Sequence, residues 1–179
     1  DLLIIDRFSR GYSIDKKRGV GLARKIGMDI AASLMNQGVI SGNWLFTTDA
    51  DAELPENYFS VETGGDDAAF IYPFKHMPQP GLELPMQLYE ISMLYYVAGL
   101  LWANSPYAYP TIGATISCSL DRYAAVRGFP KRNTGEDFYL LNKLRKTGTI
   151  RLADGDPIII SGRTSDRVPI GTGQAIMAI

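Results

Sequence analysis

A chain of 179 residues, 46% hydrophobic and 21% charged, is long enough to build one globular domain with a sizeable core and excludes the disordered and fibrous classes. With 18 basic side chains against 19 acidic ones it has no strongly basic balance for nonspecific nucleic-acid binding, so any recognition of phosphate must be local. A single cysteine, Cys118, excludes an internal disulfide and a thiolate zinc site, and the lone His76 excludes a multi-histidine metal centre. The same cysteine usage fits a reducing compartment, so a cytoplasmic location is expected, with peripheral attachment to the inner face of a membrane left open.

Residues 2–6 form a short apolar run ending in Asp6, expected as a buried strand that enters a polar loop over 7–17. Over residues 20–37, Ala23, Ile26, Ile30 and Leu34 fall at helical spacing, and Gly38 supplies a stop. A strand follows at 44–48. Strand, helix and strand in alternation predict an α/β fold with a mostly parallel, doubly wound sheet. Beyond the acidic turn, residues 55–59 read as a short helix and 68–73 as a strand. Pro78, Pro80, Gly81 and Pro85 mark residues 75–85 as a loop suited to be a lid on the acceptor side.

The spacing of Leu88, Ile91, Tyr95, Ala98 and Trp102 predicts a long core-facing helix. Its apolar run, residues 91–103, is shorter than the ~20 residues of a spanning helix, so no transmembrane segment is expected. Residues 111–120 read as a strand and 121–127 as a short helix ending at Gly128-Phe129-Pro130. Residues 136–147 form an amphipathic helix through Phe138, Leu141 and Leu144, stopped by Gly148. Asp154-Gly155-Asp156 reads as a hairpin turn before the apolar residues 158–160. No repeat and no domain boundary interrupts the chain, which is read as one domain over 1–179.

Four constellations bear on chemistry. Asp49-Ala50-Asp51 sets two carboxylates two residues apart where an apolar strand ends, and a hard divalent cation that shares its shell with phosphates needs only one or two such ligands. A D-x-D in a turn is more often structural, and an EF-hand is excluded because Leu54 stands where that loop needs glycine. Lys16-Lys17-Arg18-Gly19-Val20-Gly21-Leu22-Ala23-Arg24-Lys25 gathers cations and glycines at a helix entrance, where free N–H groups and the helix dipole favour an anion; a solvated basic face is the plainer alternative. Thr134-Gly135-Glu136-Asp137 fits a capping box, yet Asp137 shares a helix face with Leu140, Leu141 and Leu144, and a carboxyl at the edge of apolar packing can become a general base. Arg163 and Arg167, in a loop continuing to Gly171 and Gly173, offer guanidinium forks to phosphate oxygens, against the alternative of a solvated loop.

In this order the four elements resemble the family 2 glycosyltransferases of the GT-A fold. The resemblance spans nearly the whole chain and rests on Gly21-Leu22-Ala23-Arg24-Lys25-Ile26-Gly27, with Lys25 where the family usually has Asn, on Asp49-Ala50-Asp51, on Arg127-Gly128-Phe129 and on Glu136-Asp137. It implies a GT-A-like domain that transfers a sugar from a nucleoside-diphosphate sugar to an unidentified acceptor hydroxyl with inversion. It further implies Asp137 as the base with Glu136 beside it, Asp49 and Asp51 holding Mn2+ or Mg2+, and Gly21, Arg24, Lys25, Asp49, Arg163 and Arg167 around the nucleotide. Family members open with a strand, helix and strand that hold the base, of which only the second strand is expected here, so the N-terminal strand-helix segment is read as missing. Two competing readings are a sugar nucleotidylyltransferase and a non-catalytic carbohydrate- or nucleotide-binding module.

Overall fold

Residues 2–15, 19–165 and 171–179 are described in the computed structural model, whose core is built around one short strand, β4 (Ile116–Ser119). On one side β4 pairs antiparallel with β1 (Trp44–Thr47), and on the other antiparallel with β2 (Asp67–Ile71). A parallel strand, β5 (Thr149–Leu152), extends the sheet beyond β2, giving the order β1-β4-β2-β5. β3 (Phe74–Pro78) and β6 (Ile158–Gly162) form a second, parallel two-stranded sheet. The helices are α1 (Gly19–Asn36), α2 (Glu83–Trp102), α3 (Leu120–Ala125), α4 (Glu136–Leu144) and α5 (Thr172–Ala175).

β2 shows why these residues choose a central strand. Its side chains alternate between faces: Ala69 and Ile71 join a core with Met28, Leu45, Ile116, Phe129 and the leucines of α4, whereas Phe70 joins Tyr58, Tyr72 and Ile158 on the opposite face. Cys118 lies in the first core, where burial pushes its thiol pKa far up and leaves it a small apolar side chain.

The α/β class stands, but the principal sheet is mixed rather than mostly parallel. β1, β2 and β5 share one direction and β4 runs against them. The expected alternation fails physically at two joints. Residues 2–5 form no strand and stay exposed, since the strands of both sheets pair without them. β2 passes into β3 through only Tyr72 and Pro73, too short for a parallel crossover. β5 and β6 enter different sheets, so Asp154-Gly155-Asp156 is a turn but not a hairpin.

Several local expectations change with this packing. Residues 56–59 form a turn instead of a helix, and of the expected lid residues 75–78 belong to strand β3 and 83–85 to α2; Pro78 sits at the strand end, where a missing N–H is tolerated. The inward face of α1 is Gly21, Met28, Ala31, Ala32 and Met35, while Ala23 is exposed. α2 is not core-facing: Met86 is its one buried residue, and Leu88, Ile91, Tyr95 (80% exposed) and Trp102 (90% exposed) face outward. Apolar residues surround this helix on all sides, so their spacing defines no single inward face. Phe138 is likewise exposed, at the outer side of α4. Among the described residues no helix is long and apolar enough to cross a membrane.

Candidate active site

Gly21 sets the position of α1. A side chain there would place its Cβ 2.3 Å from the Arg132 carbonyl oxygen, and the Gly21 N–H donates to that oxygen at 3.1 Å. Only a residue without Cβ allows the helix this close to the segment leading into α4. One turn later Arg24 extends over the end of β1, with a side chain 9% exposed. Its Nη1 donates to Thr47 Oγ1 at 2.9 Å and to the Gly113 carbonyl at 2.8 Å, and its Nη2 donates to Asp49 Oδ1 at 2.5 Å. Nε lies 3.2 Å from Glu136 Oε1, an ion pair without the alignment of a hydrogen bond. Arg24 thus joins the end of β1 to the start of α4. Gly113 makes room for it, because a Cβ there would stand 2.8 Å from Nη2.

α4 begins after Gly135, which caps it in the left-handed conformation (φ +66°) without any side-chain cap, so Thr134 and Asp137 do not form a capping box. The two carboxyl groups of the first helical turn are therefore directed elsewhere. Glu136 is buried, and burial, then the neighbouring charge of Asp137, raises its pKa against the opposing pull of Arg24. Burial also raises the pKa of Asp137, while hydrogen bonds from the Phe138 N–H (2.8 Å) and the Gly113 N–H and the charge of Arg24 work in the opposite direction. The dipole at the α4 N-terminus favours both anions.

Asp51 reaches the site by a different route. Glu53 and Ile159 exchange both backbone hydrogen bonds, at 2.9 and 3.0 Å, which ties the acidic turn to β6. The residue just past β6 is Arg163, whose Nη1 donates to Asp51 Oδ2 and, at 3.1 Å, to Ser161 Oγ. Asp49, Asp51 and Arg163 all remain substantially exposed.

Lys25 turns away from this group. Its Nζ contacts Asp29 at 2.9 Å and donates to the Arg127 carbonyl at 3.1 Å, bracing the turn of positive φ at Arg127 and Gly128. Lys16, Lys17, Arg18 and Arg167 lie outside the described residues. The structure thus brings together Arg24, Asp49, Glu136 and Asp137, joins Asp51 to Arg163, and gives Gly21 and Lys25 supporting positions.

No family model, no curated protein and no solved structure matches the chain. The site must therefore be read from its own geometry. Among the described residues no group of three or more His, Cys, Asp or Glu side chains converges on a metal position. Asp49 and Asp51 are nevertheless an oxygen-only pair open to solvent, the donor chemistry that fits Mg2+ or Mn2+ when phosphate oxygens and water complete the shell.

Sequence reasoning did not find Thr47 and Gly113 as partners of Arg24. A small residue in the apolar stretch 111–120 was the one available signal. It also left His76 unassigned: this residue is buried between β3 and α2, with Nδ1 2.8 Å from Glu90 Oε1 and Nε2 3.5 Å from Thr172 Oγ1.

Proposed function

We propose that this protein is an inverting, metal-dependent glycosyltransferase with a GT-A-like domain, moving a sugar from a nucleoside-diphosphate sugar to an acceptor hydroxyl. The observation that carries the reading is Arg24, which holds Asp49, at the end of a strand, against Glu136, next to a carboxyl group of raised pKa. Such a transfer needs an anchor for the donor diphosphate and a proton acceptor for the incoming hydroxyl within one site, and these elements offer a candidate for each. The shared direction of β1, β2 and β5, with the acidic turn just beyond the carboxyl end of β1, supports the GT-A-like arrangement.

Asp137 takes the proton of the acceptor hydroxyl as that oxygen forms its bond to the anomeric carbon. The bond between that carbon and the diphosphate oxygen breaks on the opposite side, and its electron pair leaves with the nucleoside diphosphate. Burial suits Asp137 to this task by making it a stronger base than an exposed aspartate. Asp49 and Asp51 would hold the Mn2+ or Mg2+, which when bound supplies Lewis-acid stabilisation to the leaving diphosphate. Arg163, exposed beside Asp51, would neutralise charge on the departing phosphate. Arg24 is a positioning residue, its guanidinium already engaged by Thr47, Gly113, Asp49 and Glu136.

The test is calorimetric titration of a panel of nucleoside-diphosphate sugars with and without Mn2+. Metal-dependent binding that Asp51→Ala weakens at least tenfold is expected. Absence of binding to every member of the panel would overturn the proposal.

A further inference from the structure

Between α2 and α4 lies a cavity of about 450 Å³ that the donor chemistry does not use. Its walls are largely aromatic and aliphatic, with Tyr96, Val97 and Leu100 from α2, Tyr107 and Tyr109 from the connecting segment, and Phe138 from α4. Phe138 directly follows Asp137, and Thr111, also in the wall, lies two residues before Gly113, whose carbonyl holds Arg24 of the proposed site. The wall thus adjoins the proposed site along the chain at two points. Its size is within the range of small-molecule sites, about 300–1,000 Å³.

One polar group in this wall lacks a partner. Tyr109 is 8% exposed, and its hydroxyl is buried with no hydrogen-bond partner among the described residues. Its burial raises the phenol pKa and leaves Tyr109 part of the packed wall, not a group offered to a ligand. The remaining polar side chains are few: Ser105, Thr111, Asn142 and Lys146. A flat aromatic body matches the rings of Tyr96, Tyr107 and Phe138, which favour offset or edge-to-face neighbours.

We propose that this cavity binds the aryl body of the acceptor, an aromatic alcohol whose hydroxyl is presented to Asp137. The inference rests on the glycosyltransferase reading for the acceptor role, whereas the ligand class follows from the cavity alone. The acceptor loses its hydroxyl proton to Asp137, its oxygen forms the new glycosidic bond, and the nucleoside diphosphate departs with the electrons of the broken one. Part of the apolar surface of α2 gains a purpose here: Tyr96, Val97 and Leu100 line the cavity.

The probe is 2-naphthol, whose fluorescence reports binding. Saturable binding to the wild type is expected, weakened at least tenfold in both Val97→Trp and Leu100→Trp, which fill the cavity from partly exposed helix positions. With a nucleotide sugar the wild type forms naphthyl glycoside in preference to transfer onto methyl glucoside, and the filled variants lose that product while binding the donor unchanged. No saturable naphthol binding, or binding equal in wild type and filled variants, would overturn the cavity assignment. Naphthol binding without any donor binding would leave the cavity assignment standing and remove the glycosyltransferase reading, so the two failures are distinguishable.

Discussion

Arg24 and Glu136 are paired, Nε to Oε1 at 3.2 Å, and both side chains are less than a tenth exposed. Removing one member of a buried pair leaves the other charge uncompensated, at a cost of about 3–5 kcal/mol. Arg24→Ala is therefore expected to lower the free energy of unfolding in urea by about 3 kcal/mol, the low end because its other carboxylate partner, Asp49, is half exposed. Arg24→Lys keeps the charge but not the planar fork that spans Thr47, Gly113 and Asp49, so its loss should be intermediate. Equal stability of wild type and Arg24→Ala would refute the brace.

Two glycines of α1 separate close approach from mere helix composition. Gly21→Ala would drive a Cβ into the Arg132 carbonyl and should destabilise by about 3 kcal/mol, the upper end for overpacking. Gly27, in the same helix, has open space around the Cβ position, so Gly27→Ala should stabilise by about 0.5–1 kcal/mol through helix propensity. Thermal denaturation of both variants checks the contrast.

The raised pKa of Asp137 fixes a sign for pH dependence. The folded state holds this proton more tightly than the unfolded state does, so stability falls as pH rises from the unfolded-state value through the raised folded one. Asp137→Asn removes that part of the slope, and its stability should exceed that of the wild type at neutral pH. Catalysis has the opposite dependence, since a base must be deprotonated: kcat should rise with pH through an inflection above the usual aspartate range. Glu136 is buried beside it and adds to the same stability slope, so Glu136→Gln should flatten it further. A slope unchanged in Asp137→Asn would contradict the burial argument.

On α2, Tyr95 and Trp102 are exposed, and their conversion to Ser is expected to change stability by less than about 0.5 kcal/mol. Helical spacing alone predicts a cost of several kcal/mol for these residues as core, so chemical denaturation of the two variants decides between the two placements.

The α1, β1, β2 and α4 segments were legible from apolar pattern and glycine stops: Gly38 follows α1, and Leu140, Leu141 and Leu144 form one buried stripe on α4, although its expected capping box does not form. The inward face of α1 was not, because it contains a cation. Arg24 enters the interior between apolar Gly21 and Met28, and hydropathy cannot predict a buried charge whose partners, Asp49 and Glu136, are distant in the chain. The direction of β4 was equally hidden, since an isolated apolar strand reads the same whichever way its neighbours run. The acidic turn and the acidic pair were visible as motifs, while their connection through Arg24 belongs to the folded state alone.

The most direct measurement of the central claim is sugar transfer from a nucleoside-diphosphate donor by wild type and Asp137→Asn, with donor affinity measured in parallel. Metal-dependent donor binding in both, together with a loss of at least about 10²-fold in kcat for Asp137→Asn, is the result expected of a general base. Full transfer by Asp137→Asn would contradict it.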